Sequence, residues 1–469
     1  MSCKAAGYPR RNKVEVTTLT PDPARSSPPM DYPIASFATL LNLFGSCFRA
    51  EVFDTFKTMV AAWALCPGPR TISEVWQATG LAAKRHHDTA YALFHSAKWD
   101  WDELGQILVL VIVARLVPPG VVWLVVDDTL CHKRGADVAF GGFYLDAVLS
   151  TKKQKHLRFG LNWIVLGIVV HLPFRTDRYF CLPVLWRVYR KKGQPDHQKR
   201  TDAAAAMARQ VASWLPEREC WLIGDNAYVN SSVLRNRPAN LKVLGPIRWD
   251  AVLNELPSPR KAGQRGASRK KGDRLPTPRE MIADTTGYKA VTKSIAYADR
   301  KRRLRVQVVR NVLWYAGSKT EPVTVVLVRD PKGVWRDEVL LATGDVSAEF
   351  AVSGYCRRWS IEVAFHDSKQ FVGLHDPQVR CGRSVERAHP MSWFVLSASV
   401  VWYAAVGKSG KQVRRDRPWY TTKKTPTFAD MLGALRLDLW HERITTKSGK
   451  TTPTRKIINT LLNTLAAVR

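Results

Sequence analysis

The stretch YCRRWSIEVAFHDSK carries a phenol, a guanidinium, a carboxylate and an ammonium at Tyr355, Arg358, Glu362 and Lys369. Turned at about 100° per residue, the four fall within an arc of roughly 60° on one helix face. The plain alternative is a solvated stripe in which Arg358 and Glu362 pair at i,i+4. Two acids elsewhere argue against it. Asp128 in VVDDT and Asp225 in LIGDNAY each follow a strongly apolar strand pattern, and side chains at the carboxyl end of a sheet converge on a crevice. Either acid alone reads equally well as a turn or a helix cap. With Glu362 they become three hard oxygen donors on strand, strand and helix. That set suits two Mg²⁺ ions about 3.5–4 Å apart, one activating an attacking hydroxyl and the other stabilising the leaving oxygen of a phosphodiester.

Elements of both kinds are needed to position these groups. Residues 1–33 are Pro/Ser/Arg-rich, read as a disordered tail, and lack the apolar core of a signal peptide. Residues 34–105 have helical periodicity. Within them, Thr71 to Phe94 reads as helix, turn at Gly80, and a second helix bearing Lys84, Arg85, His86 and His87, the outline of a DNA-reading helix-turn-helix or of plain helical packing. Residues 106–247 have α/β character. Val121 to Val126 reads as a strand ending on the acids, with further strands at Phe140 to Leu149, Leu161 to Leu172, Cys220 to Asp225 and Leu241 to Ile247, and a helix near Ala203 to Trp214. Residues 248–345 read as a β-rich, basic insertion containing a flexible loop, Arg260 to Arg274. Residues 346–410 return to helix, with one long helical pattern running from Ser347 through Gln370. Residues 411–469 form a basic linker and C-terminal helices, the first opened by Thr427 and Asp430 as an N-cap pair and the last spanning Arg455 to Val468.

Composition narrows the partner. The chain has 469 residues, with 72 Lys+Arg against 40 Asp+Glu, a formal charge of +32, yet 45% of it is hydrophobic and 17 residues are Trp. A disordered basic tail is excluded by the apolar and aromatic content. A surplus this large is offset by a polyanion, most commonly nucleic acid. The eight cysteines show no Cys-x-x-Cys pair and read as reduced thiols of a cytosolic protein. The apolar run from Ile107 to Val126 is broken by Pro118 and Pro119, so it reads as core, not as a membrane span.

Asp128, Asp225 and Glu362 within Y-x2-R-x3-E-x6-K resemble the DDE triad and the YREK signature of bacterial insertion-sequence transposases. The resemblance covers roughly Val121 to His375. It implies an α/β fold with a ribonuclease-H-like mixed sheet, interrupted by a β-rich insertion and flanked by helical N-terminal and C-terminal domains. It implies that Asp128, Asp225 and Glu362 bind two Mg²⁺ ions, with Mn²⁺ able to substitute, and that Tyr355, Arg358 and Lys369 hold DNA phosphates. Asp127 competes with Asp128 for the first ligand position; Asp128 is preferred because the family motif puts the ligand directly before Thr129. Lys133 and Arg134 read either as contacts to the same strand or as a solvated pair. The family's insertion also holds a distorted base with an aromatic residue, for which Trp314, Tyr315 and Trp335 are the candidates beside ordinary packing roles. His366 reads as a structural histidine or an aid to proton transfer.

The expected activity is cut-and-paste transposition by a homodimer in a synaptic complex: cleavage at terminal inverted repeats, then transfer of the 3'-hydroxyl ends into target DNA. The expected location is the bacterial cytoplasm, at the nucleoid, without membrane association. A ribonuclease-H-like structure-specific nuclease and a domesticated, non-catalytic DNA-binding protein are the alternatives. The basic surplus is spread over several segments, so affinity for DNA should fall about 10³–10⁵-fold between 50 and 200 mM salt if 6–10 phosphates are contacted. Fluorescence anisotropy against salt measures the slope, and a flat response would remove the polyanion reading.

Overall fold

The computed structural model describes residues 34–447 apart from 136, 147–148, 152, 261–265, 284–289, 298–299 and 407–424, together with 462 and 465. The expected N-terminal tail, and nearly all of the basic linker and of the last helix, lie outside the described residues. The described chain opens on helices α1 (Phe37–Asn42), α2 (Ala50–Leu65), α3 (Ile72–Ala78), α4 (Asp88–His95) and α5 (Trp101–Leu116). On α2, Phe56, Met59, Val60, Trp63 and Ala64 recur at helical spacing and are fully buried. Thr71 caps α3 by accepting the Glu74 N–H at 3.2 Å. Gly80, at φ +71°, ends that helix. Lys84, Arg85, His86 and His87 do not lie on the next helix as the sequence suggested. They form the turn before it, where the Lys84 and Arg85 N–H groups both donate to the Leu81 carbonyl.

The apolar run splits as expected. The α5 helix ends at Leu116, and β1 (Val122–His132) begins beyond the two prolines. Among the described residues no helix is long and apolar enough to cross a membrane. β1 runs through both acids to His132 instead of stopping before them. The remaining strands are β2 (Gly142–Leu145), β3 (Leu157–Leu172), β4 (Arg175–Val188), β5 (Cys220–Ile223), β6 (Leu241–Pro246), β7 (Val291–Tyr297), β8 (Arg300–Leu313), β9 (Pro322–Arg329) and β10 (Glu338–Ala342). They join in one mixed sheet of order β2-β3-β1-β5-β6-β10-β9-β8-β7, with β4 also on β3. β1 is parallel to β5, β5 is parallel to β6, and the other pairings are antiparallel. The helix α6 (Arg200–Trp214) makes the crossover from β4 to β5, and α7 (Ser231–Leu234) precedes β6.

β4 has no counterpart in the sequence reading. Its Pro183 sits opposite Gly167, where the register shifts, a position that tolerates a residue without an N–H. Residues 248–345, expected as an insertion, carry α8 (Pro278–Ala283) and strands β7 to β10. Because β10 pairs with β6, those strands extend the central sheet and do not build a second one.

The C-terminal part supplies α9 (Ala348–Cys356), α10 (Trp359–Phe371), α11 (Gly382–Ala388), α12 (Met391–Val406) and α13 (Phe428–Lys447). The Trp63 indole donates to the Val372 carbonyl at 2.9 Å, and Phe44 meets Phe394 edge-on at 5.1 Å, so the N-terminal helices share a core with α12. Thr427 opens α13 as expected, its N–H and hydroxyl both donating to Asp430 Oδ2, at 2.6 and 2.7 Å. The single helix expected from Ser347 is two. Between them the N–H groups of Arg357, Arg358 and Ile361 donate to the carbonyls of Gly354, Tyr355 and Arg358, a tightened i to i−3 pattern.

Gly354 lets α9 lie against the sheet. A methyl group there would stand 2.7 Å from the Trp123 ring and 2.8 Å from a Leu244 methyl. Gly354→Ala should therefore lose about 1–3 kcal/mol to overpacking, outweighing the roughly 1 kcal/mol of helix propensity it gains. Thermal denaturation tests this, and a raised Tm would refute it.

Candidate active site

β1 alternates, so its odd-numbered side chains face α9 and α10 while its even-numbered ones face α6. Trp123 lies 5.0 Å from the Phe350 ring of α9, and four residues on, Asp127 reaches Arg358 at the joint between α9 and α10. The Arg358 Nη1 donates to Asp127 Oδ2 at 2.9 Å and to Glu362 Oε1 at 3.5 Å. One guanidinium nitrogen therefore links an acid of the central strand to an acid of the helix. Asp225 stands two residues past β5, its Oδ1 accepting the Ala227 N–H at 2.8 Å in a tight turn.

The electrostatics bind these groups together. Burial, then Glu362, then Asp225, push the Asp127 carboxyl up to about 7, against the smaller opposing effects of the Asp128 N–H and Arg358. Burial pulls Arg358 down, but Tyr355, Asp127, Glu362 and Asp225 together hold it above its ordinary value. Burial also raises the Tyr355 phenol, which lies in the field of Arg358, Glu338 and Asp225.

Asp128 does not join this group. Its carboxylate faces α6 and accepts Asn162 Nδ2 at 2.8 Å, Arg200 Nη1 at 3.2 Å and the Tyr228 hydroxyl at 3.1 Å. Strand parity places Asp127, and not the Asp128 expected from the motif, on the face of Arg358 and Glu362. Lys369 sits two helical turns beyond Glu362, half-buried, with burial lowering its ammonium against Cys131, Asp146 and Glu362. Lys133 is turned inward, its Nζ donating to the carbonyls of His375 and Pro377 at 2.7 and 2.9 Å. Arg134 is exposed and lines a separate cavity of about 610 Å³ with His132, His375 and Arg380. His366 is exposed and paired with Asp367 at 3.1 Å.

Asp225 and Tyr355 open into a cleft of about 690 Å³ whose other walls include Arg248, Trp249, Arg279, Arg336 and Glu338. Trp249, Arg279 and Arg336 also line an adjoining cavity of about 640 Å³ that reaches Trp335. Of the aromatic candidates from the insertion, Trp314 folds over its own turn at Gly317, Tyr315 lies 4.7 Å from the Lys319 ammonium, and Trp335 lies 4.1 Å from the Arg302 guanidinium. Trp249 stands just past β6, whose parallel pairing with β5 sets it beside Asp225, a role that the sequence reading did not assign it.

A family model described as DDE superfamily endonuclease matches residues 42–321, more than half of the chain. The chain belongs to this family. No curated protein matches the sequence. The matched span of this DDE endonuclease contains Asp127, Asp128 and Asp225 and stops short of Glu362, which the fold itself brings to Asp127. The family makes the protein a nuclease with DNA as substrate, and enzymes of this type generally use divalent metals. The donor set fits such ions: three carboxylates, of which Asp127 resists ionisation through burial first and then through the charges of Glu362 and Asp225. Among the described residues, the group whose ligand atoms all lie within 4.8 Å of one another is instead His86, His87 and Asp88, exposed at the start of α4.

The raised Asp127 carboxyl has a consequence for stability. Its folded value, about 7, exceeds the ordinary 3.8, so ionisation opposes folding: the cost is absent below about pH 4, grows through pH 4–7 and is complete above. In metal-free buffer, Asp127→Asn should raise Tm by a few degrees at pH 8 and leave it unchanged near pH 4. An equal shift at both pH values would show that the carboxyl is not strained by its neighbours.

Proposed function

We propose that this endonuclease is a transposase that cuts DNA at the ends of a mobile element and transfers the 3'-hydroxyl ends into target DNA. The observation that carries the reading is the Arg358 guanidinium shared by Asp127 and Glu362, beside Asp225 at the mouth of the arginine- and tryptophan-lined cleft. In this reading Asp127, Asp225 and Glu362 hold two divalent ions, Mg²⁺ by preference. Asp127 takes the place that the motif alone suggested for Asp128. The ions, when bound, supply Lewis-acid activation of the attacking oxygen and charge stabilisation at the leaving one.

The protein's own groups orient the strand. Tyr355 and Arg358 stand at the joint between α9 and α10, where their donors meet phosphate oxygens next to the carboxylates. Lys369 adds a point charge two turns further on. Arg279 and Arg336, which have no ion-pair partner among the described residues, continue the phosphate track along the insertion wall, and Trp249 offers an indole face for a base or sugar. This gives Trp249 the role first considered for Trp314, Tyr315 and Trp335. Two such sites acting on two ends make a homodimeric synaptic complex the natural assembly.

Cleavage and joining assays on DNA carrying the element's ends test the proposal. Glu362→Gln and Asp127→Asn should each reduce Mg²⁺-dependent cleavage by at least 10³-fold while leaving DNA affinity within a few fold. Trp249→Ala should lower the cleavage rate about 10-fold with the fold intact. Cleavage without joining, at any end sequence, would replace the transposase with a structure-specific nuclease.

A further inference from the structure

Asp128 is too fully engaged for an acid that merely happens to neighbour a catalytic one. Its Oδ2 accepts Asn162 Nδ2 from β3 at 2.8 Å and Arg200 Nη1 from the start of α6 at 3.2 Å, and its Oδ1 accepts the Tyr228 hydroxyl at 3.1 Å. Tyr228 is 2% exposed, so its hydroxyl needs a partner inside the protein. The same residue closes the turn that presents Asp225: the N–H groups of Tyr228 and Val229 donate to the Asp225 carbonyl at 3.0 and 3.2 Å. The turn is packed down as well as bonded. A methyl group on Gly224 would come within 2.6 Å of the Tyr228 Cβ and 3.5 Å of a Val126 methyl on β1.

These links form a chain running through the sheet. Asp127 and Asp128 leave β1 on opposite faces, so a force applied to Asp128 is felt at Asp127 through a single peptide unit. Arg200 also sets the charge of the network. Its guanidinium lies over the Tyr189 ring at 4.9 Å and pairs with Asp128 at 3.2 Å, so this carboxylate is held by three side-chain donors on the face away from Glu362.

We propose that Asp128 is a positioning residue which, through Tyr228, fixes the Asp225 turn against β1 and so sets the spacing between Asp127 and Asp225. This rests on the reading that Asp127, Asp225 and Glu362 hold the ions. Groups that orient ligands in this way are worth about 10–100-fold in metal affinity.

The test uses the full chain and Mn²⁺ alone, titrated without DNA and followed by the loss of free-ion electron paramagnetic resonance signal, with Tm recorded for each variant. Tyr228→Phe removes one hydroxyl and Asp128→Asn keeps the side chain's shape, so both should fold. Each should weaken Mn²⁺ binding about 10–100-fold at a temperature where the protein is fully folded. The double variant should be little worse than either single one, because both cut the same link. Wild-type Mn²⁺ affinity in Tyr228→Phe and Asp128→Asn, with only Tm lowered, would overturn the proposal, as would losses that simply add. Asp127→Asn separates the underlying reading: it should abolish Mn²⁺ binding. If Asp127→Asn binds normally while Asp128→Asn does not bind at all, the ligand assignment itself has failed.

Discussion

Two carboxylates adjacent in sequence leave β1 in opposite directions, and much of the site's architecture depends on that divergence. The pleat sends Asp127 toward Arg358 and Glu362 and sends Asp128 toward Asn162, Arg200 and Tyr228. On one face negative charge is left concentrated. On the other it is neutralised and tied into three elements. A one-residue slip of β1 against β3 would turn each acid to the other face, taking Asp127 from Arg358 and Asp128 from Arg200. The long ladder from Leu124 to His132 against β3 makes such a slip costly.

The charge of +32 gives the overall sign of the molecule, while the site runs against it locally. Burial and the mutual repulsion of Asp127, Glu362 and Asp225 create a small negative centre within a cationic frame. That arrangement separates two tasks. The frame attracts the phosphates from a distance, and the centre is reserved for cations small enough to enter it.

The helix face bearing Tyr355, Arg358 and Glu362 was legible in sequence because helical periodicity maps spacing directly onto direction. The joint at Arg357–Arg358 divides that stretch between two helices, and across it Arg358 still reaches Glu362 at 3.5 Å. The central strands were legible as apolar runs, and the strands within residues 248–345 as a change in composition. The choice between Asp127 and Asp128 was not, since parity within a strand has no meaning until one face is known to be buried against a given helix. β4 was hidden by its charges and by Pro183, which an edge position with a register shift accommodates. Trp249, Arg279 and Arg336 were hidden for a topological reason: they line one cleft with Asp225 because β6 lies parallel beside β5, Arg279 is bonded to the Trp249 carbonyl, and β10 returns to pair with β6. The basic run Lys84 to His87 misled in the opposite sense, its charge suggesting a reading helix where the backbone forms a turn.

The pairing of β10 with β6 also has a mechanical meaning. Asp225 follows β5, Glu338 opens β10 and Arg336 stands two residues before it, so the two sides of the cleft hang from the two strands that flank β6 in one hydrogen-bonded sheet. Strands keep a separation of about 4.8 Å, and widening it breaks a whole row of backbone bonds together. The cleft therefore behaves as a fixed gauge and not as a jaw. Adaptation on binding falls to the nucleic acid, whose bending and unstacking are the softer coordinates.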